Sequence, residues 1–288
     1  MTKTYKLFIN GAFPRSESGR SLPVSDPKGA VLAHVAHGSR KDLRDAVVAA
    51  RKAQPGWAGR TPYNRGQIVY RMAEMLEGKA AEFEQAIADP TKITPAAARR
   101  EVAAAVDLLV AYAGWADKFQ QVLGTHNPVA GPYHNFAIPE PSGVVAAIAP
   151  EEPALLALLA LLLPPLVAGN AVVAVASTVN PLPAAVLGEV LATSDLPPGV
   201  VNLITTESVG ELADHIADHR DIDAVHAGDL GDPAVATTLR LGAAQNIKRV
   251  TIHADLAPRD YFDQARMASP WMIQPFVEIK ALWHPAAT

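Results

Sequence analysis

Short runs of hydrophobic residues alternate with helical runs through the second half of the chain. The hydrophobic runs occupy residues 143–149, 171–176, 200–204, 223–227 and 249–253. Helical stretches lie between them, at residues 154–167, 182–192, 208–217 and 233–243. Strands that alternate with helices at this spacing are joined by crossovers and run parallel in one sheet. The pattern predicts an α/β fold with a doubly wound, five-stranded parallel sheet, and any ligand would lie at the carboxyl ends of its strands.

The first half of the chain has a different pattern. Residues 7–9 precede an Asn-Gly turn, and a second extended run covers 31–36, which predicts a small antiparallel lead-in. Three helices then have recognisable starts, at Ser39, at Thr61-Pro62 and at Thr94-Pro95, the last leading into a long alanine-rich stretch. Ser or Thr caps the free amides of a first turn, and Pro suits the first helical position.

Residues 153–188 contain no charged side chain and resemble a membrane span at first sight. A spanning helix needs about 20 continuous apolar residues. Here Pro164-Pro165 interrupts the run, and Gly169-Asn170 reads as a turn before a β-branched stretch. We therefore expect a buried helix followed by a central strand, with no membrane association.

Two extended segments lie outside this alternation. Residues 133–139 predict a protruding hairpin formed with the residues just before them, and a strand is predicted at the C-terminal end. Neither has a place in the parallel core, and an uncovered strand edge is a template for pairing with another chain. The predicted partner interface comprises Phe276, Val277, Glu278, Ile279, Lys280, Ala281, Leu282 and Trp283.

Composition narrows the functions available to this chain. Hydrophobic residues make up 49% and charged residues 19%, the balance of an ordinary globular protein. A net charge of −4 offers no basic surface for nucleic acid. Cysteine is absent, so the chain has no disulfides, no thiolate metal ligands and no thiol nucleophile. The N-terminus lacks the apolar core of a signal peptide, and we expect a cytoplasmic protein.

Six motifs, in order along nearly the whole chain, resemble stretches of the aldehyde dehydrogenase family. They lie at residues 7–11 (LFING), 47–51 (VVAAR), 140–145 (EPSGVV), 164–170 (PPLVAGN), 196–202 (LPPGVVN) and 248–251 (KRVT). The resemblance implies a Rossmann-like dinucleotide-binding domain and an oligomerisation domain made of a projecting hairpin and the C-terminal strand. It further implies a catalytic domain that supplies the nucleophilic cysteine.

The resemblance also shows what is missing. Only 18 residues separate 253–257 (HADLA) from Phe276, the interval in which the family places its entire catalytic domain. We therefore divide the chain into a cofactor-domain scaffold at 1–257, with an oligomerisation hairpin at 118–142, a short bridge at 258–275 and an oligomerisation strand at 276–288. Without the thiol, no thiohemiacetal could form as the hydride donor.

The positions that hold cofactor and oxyanion in the family also differ here. Residues 150–152 (PEE) replace Pro-Trp-Asn, and a carboxylate cannot donate the hydrogen bond of that asparagine. Residues 175–178 (VAST) replace the Lys-Pro-x-Glu motif that holds the ribose, and 253–256 (HADL) replace Glu-Leu-Gly-Gly. Gly228 matches a glycine of the phosphate-binding turn, but Asp229 beside it would repel a pyrophosphate. We predict no catalytic residue, no cofactor site and no bound cofactor.

Other candidate sites have simpler explanations. His215 and His219 have the i, i+4 spacing of metal ligands, but we interpret the region as a helix end and predict no metal site. Glu151 and Glu152 read as the start of a helix, where carboxylates meet the positive end of the dipole. His253 stands in the general-base position and is interpreted as strand-end packing. Three tryptophans, Trp115, Trp271 and Trp283, are interpreted as core or interface anchors.

These observations predict a non-catalytic aldehyde dehydrogenase-like subunit that pairs, through its C-terminal strand, with a full-length catalytic aldehyde dehydrogenase. Self-association is an alternative use of the same strand. Two other functions stay open. The chain could be a residual NAD- or metabolite-binding module, or part of an active complex that its partner completes.

Overall fold

The computed structural model describes residues 2–286. The chain begins with a three-stranded sheet of β1 (Lys3–Tyr5), β2 (Ser21–Ser25) and β3 (Val31–Ala36), in the order β1-β3-β2. The prediction of an antiparallel lead-in was only partly right, since β2 runs antiparallel to β3 but β1 runs parallel to it. Residues 7–9 form no strand of this sheet. Phe8 instead exchanges two backbone hydrogen bonds with Leu203 and so covers the edge of a later strand.

Five helices follow, and the three predicted starts are confirmed. The helices are α1 (Arg40–Ala58), α2 (Pro62–Gly78), α3 (Ala80–Ala88), α4 (Pro95–Trp115) and α5 (Phe119–Leu123). Ser39, Thr61 and Thr94 each accept a backbone hydrogen bond from the first turn of their helix. Asp42 completes a capping box with Ser39, so α1 begins with two of its amides paired.

A small second sheet lies next along the chain. It pairs β4 (Thr125–Asn127) antiparallel with β5 (Tyr133–Pro141), the hairpin that the sequence predicted.

The central sheet has the predicted architecture. Its strands are β6 (Val144–Ile148), β7 (Ala171–Val175), β8 (Val201–Ile204), β9 (Ala224–Ala227) and β10 (Arg249–Ile252). They are all parallel, in the order β10-β9-β6-β7-β8. The connecting helices are α6 (Leu156–Ala168), α7 (Leu182–Thr193), α8 (Gly210–Asp218) and α9 (Pro233–Asn246).

Both faces of this sheet are buried, which explains why its strands read as continuous apolar runs. On one face, alternate residues of β6 pack with side chains of α1, α8 and α9. On the other face, Ala147 and the facing residues of β7 pack against α6. Every residue of α6 is buried.

Helix α6 passes through Pro164-Pro165 without a break and ends at Gly169, whose φ of +103° suits glycine. The helix predicted at residues 154–167 is therefore confirmed, but the two prolines do not interrupt it as expected. Pro165 has no N–H to donate to Leu161 O, four residues earlier. That carbonyl is hydrogen-bonded instead to the ring of His226, at 2.8 Å.

The last segment crosses back over the molecule. It consists of 3-10 turns at Pro258–Phe262, Pro270–Met272 and Gln274–Phe276, the short helix α10 (Gln264–Met267) and strand β11 (Val277–Pro285). β11 pairs antiparallel with β5, so the second sheet has the order β11-β5-β4. Among the residues that the structure describes, no helix has both the length and the apolar character needed to cross a membrane.

Candidate functional site

The strand order of the parallel sheet predicts where a ligand-binding crevice should lie. Strand order reverses between β6 and β9, and ligands of open α/β sheets bind outside the carboxyl ends of the strands at such a switch point. Pro150 follows β6 there, and Gly228 follows β9. Gly228 N–H donates to Ile148 O at 3.1 Å, which holds the two loops together.

The side chain of Tyr261 fills this crevice. A Cβ placed on Gly228 would lie 2.7 Å from the Tyr261 hydroxyl oxygen and 2.7 Å from Pro150 Cδ. Tyr261 is 2% exposed, and its hydroxyl has no hydrogen-bond partner among the described residues. Burial raises the pKa of this hydroxyl, so the ring stays neutral. Gly228 permits another group to approach its backbone closely, and in this protein that group is the side chain of Tyr261.

Helix α4 anchors the segment that carries Tyr261. Tyr112 donates its hydroxyl proton to Met267 O at 2.6 Å, and Trp115 Nε1 donates to Ala268 O at 2.6 Å. Met267 and Ile273 are buried in the larger core cluster. The bridge is therefore packed into the molecule at several points that follow Tyr261 along the chain.

A second side chain occupies the loop after β7. The carboxylate of Glu151 accepts hydrogen bonds from Ser177 Oγ at 3.1 Å and from Thr178 Oγ1 at 2.7 Å. It also accepts from the backbone N–H groups of Thr178, at 3.1 Å, and Val179, at 2.9 Å. Hydroxyl and amide donors grouped in this way bind anions. In this chain the anion is Glu151, which leaves those donors no capacity for an external phosphate or ribose.

The interpretation of Glu151 and Glu152 as the start of a helix was therefore wrong. The first turn of α6 is capped by Glu101, on α4, which accepts from Leu155 N at 2.8 Å and Leu156 N at 3.2 Å. Glu101 is 2% exposed, and burial raises its pKa. The one sequence signal for it was a charged residue on the buried, alanine-rich face of α4.

His226 and His253 form a hydrogen-bonded pair where β9 and β10 end. Their Nε2 atoms are 3.0 Å apart. Because Leu161 O can only accept, His226 Nδ1 carries the ring proton, and its Nε2 accepts from His253. Burial lowers the pKa of His226 to about 3, and burial also lowers the pKa of His253. Both rings are neutral at pH 7, and His226 packs against the ring of Phe276.

The other sequence candidates lie apart from the crevice. His215 is in the last turn of α8 and His219 follows its end, beside Arg40 and Arg44 in a surface cavity of about 490 Å³. Within residues 2–286 the one group with spacing suited to a metal is His37, Glu207 and Glu211, where His37 Nε2 is 2.8 Å from Glu211 Oε2.

Of the three tryptophans interpreted as core or interface anchors, Trp115 is the one that packs against the molecule. Trp115 is partly buried against the bridge, whereas Trp271 and Trp283 are each 60% exposed and so are not core anchors. An interface role for Trp271 and Trp283 stays a prediction.

The predicted partner interface is only partly buried. Phe276 and Val277 are buried, and the strand is otherwise largely exposed, including Ile279 at 55%. One edge of β11 pairs with β5, and no strand in the part of the chain that the structure describes pairs with the other edge.

Comparisons with known proteins agree with this architecture. The family model described as "Aldehyde dehydrogenase family" matches residues 13–254. The chain is 34% identical over 252 residues to a mitochondrial benzaldehyde dehydrogenase of Antirrhinum majus, covering 86% of this chain and 46% of that protein. It is 33% identical to a mitochondrial aldehyde dehydrogenase family 2 member B4 of Arabidopsis thaliana, with the same coverage.

Among solved structures, the NAD+ complex of an aldehyde dehydrogenase from Bacillus cereus superposes with a TM-score of 0.81 at 28% identity. It covers 87% of this chain and 50% of that one. The chain thus spans about half the length of the relatives it matches.

Proposed function

Since this chain belongs to the aldehyde dehydrogenase family, we propose that it is a non-catalytic subunit that pairs with a full-length, catalytic aldehyde dehydrogenase. The observation that carries the proposal is the crevice at the switch point of the sheet. Tyr261 lies in it, against Gly228 and Pro150.

A dinucleotide does not fit the residues that line this crevice. Tyr261 occupies the space beside Gly228 that a pyrophosphate would need in order to bind against the backbone. Glu151 already accepts from four donors at the end of β7, and its negative charge opposes a phosphate. His253 uses its Nε2–H in the hydrogen bond to the buried His226, so that nitrogen is not available to a substrate.

The chemistry of aldehyde oxidation is also missing from these 288 residues. In the family that the sequence resembles, a cysteine thiolate adds to the aldehyde before hydride leaves, and this sequence has no cysteine. The match to the family model ends at residue 254, and the bridge that follows carries Tyr261 into the crevice. Any aldehyde dehydrogenase activity would therefore belong to a complex with the partner.

The C-terminal strand offers the surface for such a complex. Of the predicted interface, residues 278–283 are largely exposed, and one edge of their strand pairs with no other strand within residues 2–286. A partner strand could add to this edge through backbone hydrogen bonds, which require no particular side chains. We propose that the partner is a catalytic aldehyde dehydrogenase with an exposed sheet edge, and that pairing stabilises or positions it.

The test is co-expression of this chain, tagged, with a full-length aldehyde dehydrogenase from the same genome. We expect the enzyme to co-purify with the wild-type chain and with Ala281→Thr. We expect it to be lost with Ala281→Pro, which removes one N–H from the free edge. Equal recovery with all three chains, or with none, would contradict strand pairing.

A second measurement addresses the loss of cofactor binding. Titration calorimetry of the isolated chain with NAD should give no binding heat up to millimolar concentrations. Micromolar affinity would instead support the residual NAD-binding module.

A further inference from the structure

The register between β11 and β5 determines which residues of β11 direct their N–H and C=O groups toward β5. Phe276 O accepts from Ser142 N at 3.2 Å, and Ala286 N donates to Pro132 O at 2.8 Å. Antiparallel pairs alternate between hydrogen-bonded and non-hydrogen-bonded types, so the even-numbered residues of β11 bond to β5. Pro139 and Pro141, which have no N–H, stand opposite odd-numbered residues, as this assignment requires.

The odd-numbered residues therefore direct their N–H and C=O groups to the free edge. At one end Val277 O is already occupied, because Arg249 Nη1 donates to it at 2.7 Å. At the other end Pro285 has no N–H to offer. The usable edge is thus limited to Ile279, Ala281 and Trp283, with three donors and three acceptors.

This short edge is complementary to itself. We infer that, without a partner, two copies of the chain pair antiparallel along it, with the two-fold axis at Ala281. Ile279 then stands opposite Trp283 of the second copy, twice by symmetry, and Ala281 stands opposite Ala281. All six backbone groups of each edge find partners in this register, since each of these pairs joins two odd-numbered residues.

Side chains favour the same arrangement. Ile279 and Trp283 are 55% and 60% exposed in the single chain, and they lie on one face of the strand. Pairs of an aromatic and a β-branched residue stabilise antiparallel strands. On the other face, Glu278 meets His284 and Lys280 meets Leu282. A parallel, in-register pairing would place Glu278 beside Glu278 and Lys280 beside Lys280, which like-charge repulsion opposes.

The inferred dimer does not depend on the proposed function, but it uses the same edge. A catalytic partner would compete with the second copy for Ile279, Ala281 and Trp283. Pairing between copies would also cover the edge until a partner is present, which prevents uncontrolled strand addition.

The lack of cysteine gives a direct test, since any cysteine introduced is the only one in the chain. Hydrogen-bonded antiparallel residues have Cα atoms about 5.5 Å apart, within the range of a disulfide. Under mild oxidation, Ala281→Cys should form a disulfide-linked dimer. Ile279→Cys alone should not, because the two copies of residue 279 would lie about 14 Å apart along the strands. Ile279→Cys mixed with Trp283→Cys should cross-link, and neither variant should do so alone.

Light scattering of the isolated, cysteine-free chain gives the second readout. Wild type and Ala281→Thr should have twice the monomer mass, whereas Ala281→Pro should be monomeric with an unchanged far-UV circular dichroism spectrum. A monomeric wild type, or cross-linking of Ile279→Cys as efficient as that of Ala281→Cys, would overturn the inference. Either result leaves the co-expression test of the proposed function unaffected.

Discussion

Acidification from pH 7 to pH 5 should destabilise the folded chain through His226. This side chain is completely buried, and burial lowers its pKa to about 3 from an ordinary value of 6.5. The pKa of His226 is lower in the folded chain than in the unfolded chain. Between pH 6.5 and about pH 3, the unfolded chain therefore binds a proton that the folded chain does not bind. The stabilisation is therefore complete above pH 6.5 and is lost as the pH falls toward 3.

The size of the effect follows from the shift. A displacement from 6.5 to about 3, at about 1.4 kcal/mol per pH unit, corresponds to about 5 kcal/mol over the whole range. By pH 5 the unfolded histidine is almost fully protonated while the folded one is still neutral. Linkage then gives a loss of about 2 kcal/mol in the free energy of unfolding between pH 7 and pH 5.

Urea denaturation of wild type and His226→Asn at both pH values measures this loss. The asparagine amide can replace the Nδ1–H that donates to Leu161 O, but it does not titrate. The variant should be less stable than wild type at pH 7, because it loses the contact with His253. Between pH 7 and pH 5, the free energy of unfolding should fall by about 2 kcal/mol less in the variant than in wild type.

A matched substitution separates this effect from the other titrating groups. His284→Asn replaces an exposed histidine on β11 in the same way and controls for the loss of one histidine from the chain. If wild type and His226→Asn lose the same free energy between pH 7 and pH 5, the buried, neutral state assigned to His226 is wrong.

Four further substitutions test Tyr261 in the crevice, Glu101 at the start of α6 and Glu151 in the loop after β7. Tyr261→Phe should be neutral or stabilising by up to about 1 kcal/mol, because it removes a buried hydroxyl that has no hydrogen-bond partner among the described residues. Tyr261→Ala should cost about 3–5 kcal/mol in the same urea titration. Glu101→Ala should lower the free energy of unfolding by about 2–4 kcal/mol, since it leaves two buried amides unpaired; a loss below 0.5 kcal/mol would contradict the capping role. Glu151→Ala should lower the melting temperature, and sodium acetate should restore part of it while sodium chloride at equal ionic strength should not, since only acetate supplies a carboxylate to the loop at Thr178.

The parallel core could be predicted from the sequence because a strand that is buried on both faces consists almost entirely of apolar residues. Residues 171–175, for example, are all apolar and all buried, and the predicted strand ends within one residue of the observed one. The start of α1 was predictable for a different reason. Ser39 and Asp42 are three residues apart, so the cap is a local interaction.

The closed crevice could not be predicted, because it depends on contacts between distant segments. Tyr261 lies in a bridge of mixed polar and apolar residues with no periodicity, and its position beside Gly228 follows only from the packing of that bridge on α4. Glu101 caps a helix that begins 55 residues later along the chain. The continuation of α6 through two prolines also depends on a distant residue. Pro165 leaves the carbonyl of Leu161 without its helical donor, and His226, 65 residues away, donates to that carbonyl.

The pairing of β11 with β5 also constrains how the chain is made. Val277 pairs with Pro141, and Pro285 pairs with Tyr133, so each contact joins residues about 140 positions apart. At a synthesis rate of about 5–20 residues per second, roughly 7–30 s pass between the translation of the two segments. During that interval β5 has no strand on the edge that β11 later covers, while the five core strands are already being completed. The nascent chain therefore presents a strand edge to its surroundings before it is finished, and a partner or a second nascent chain could bind it there first.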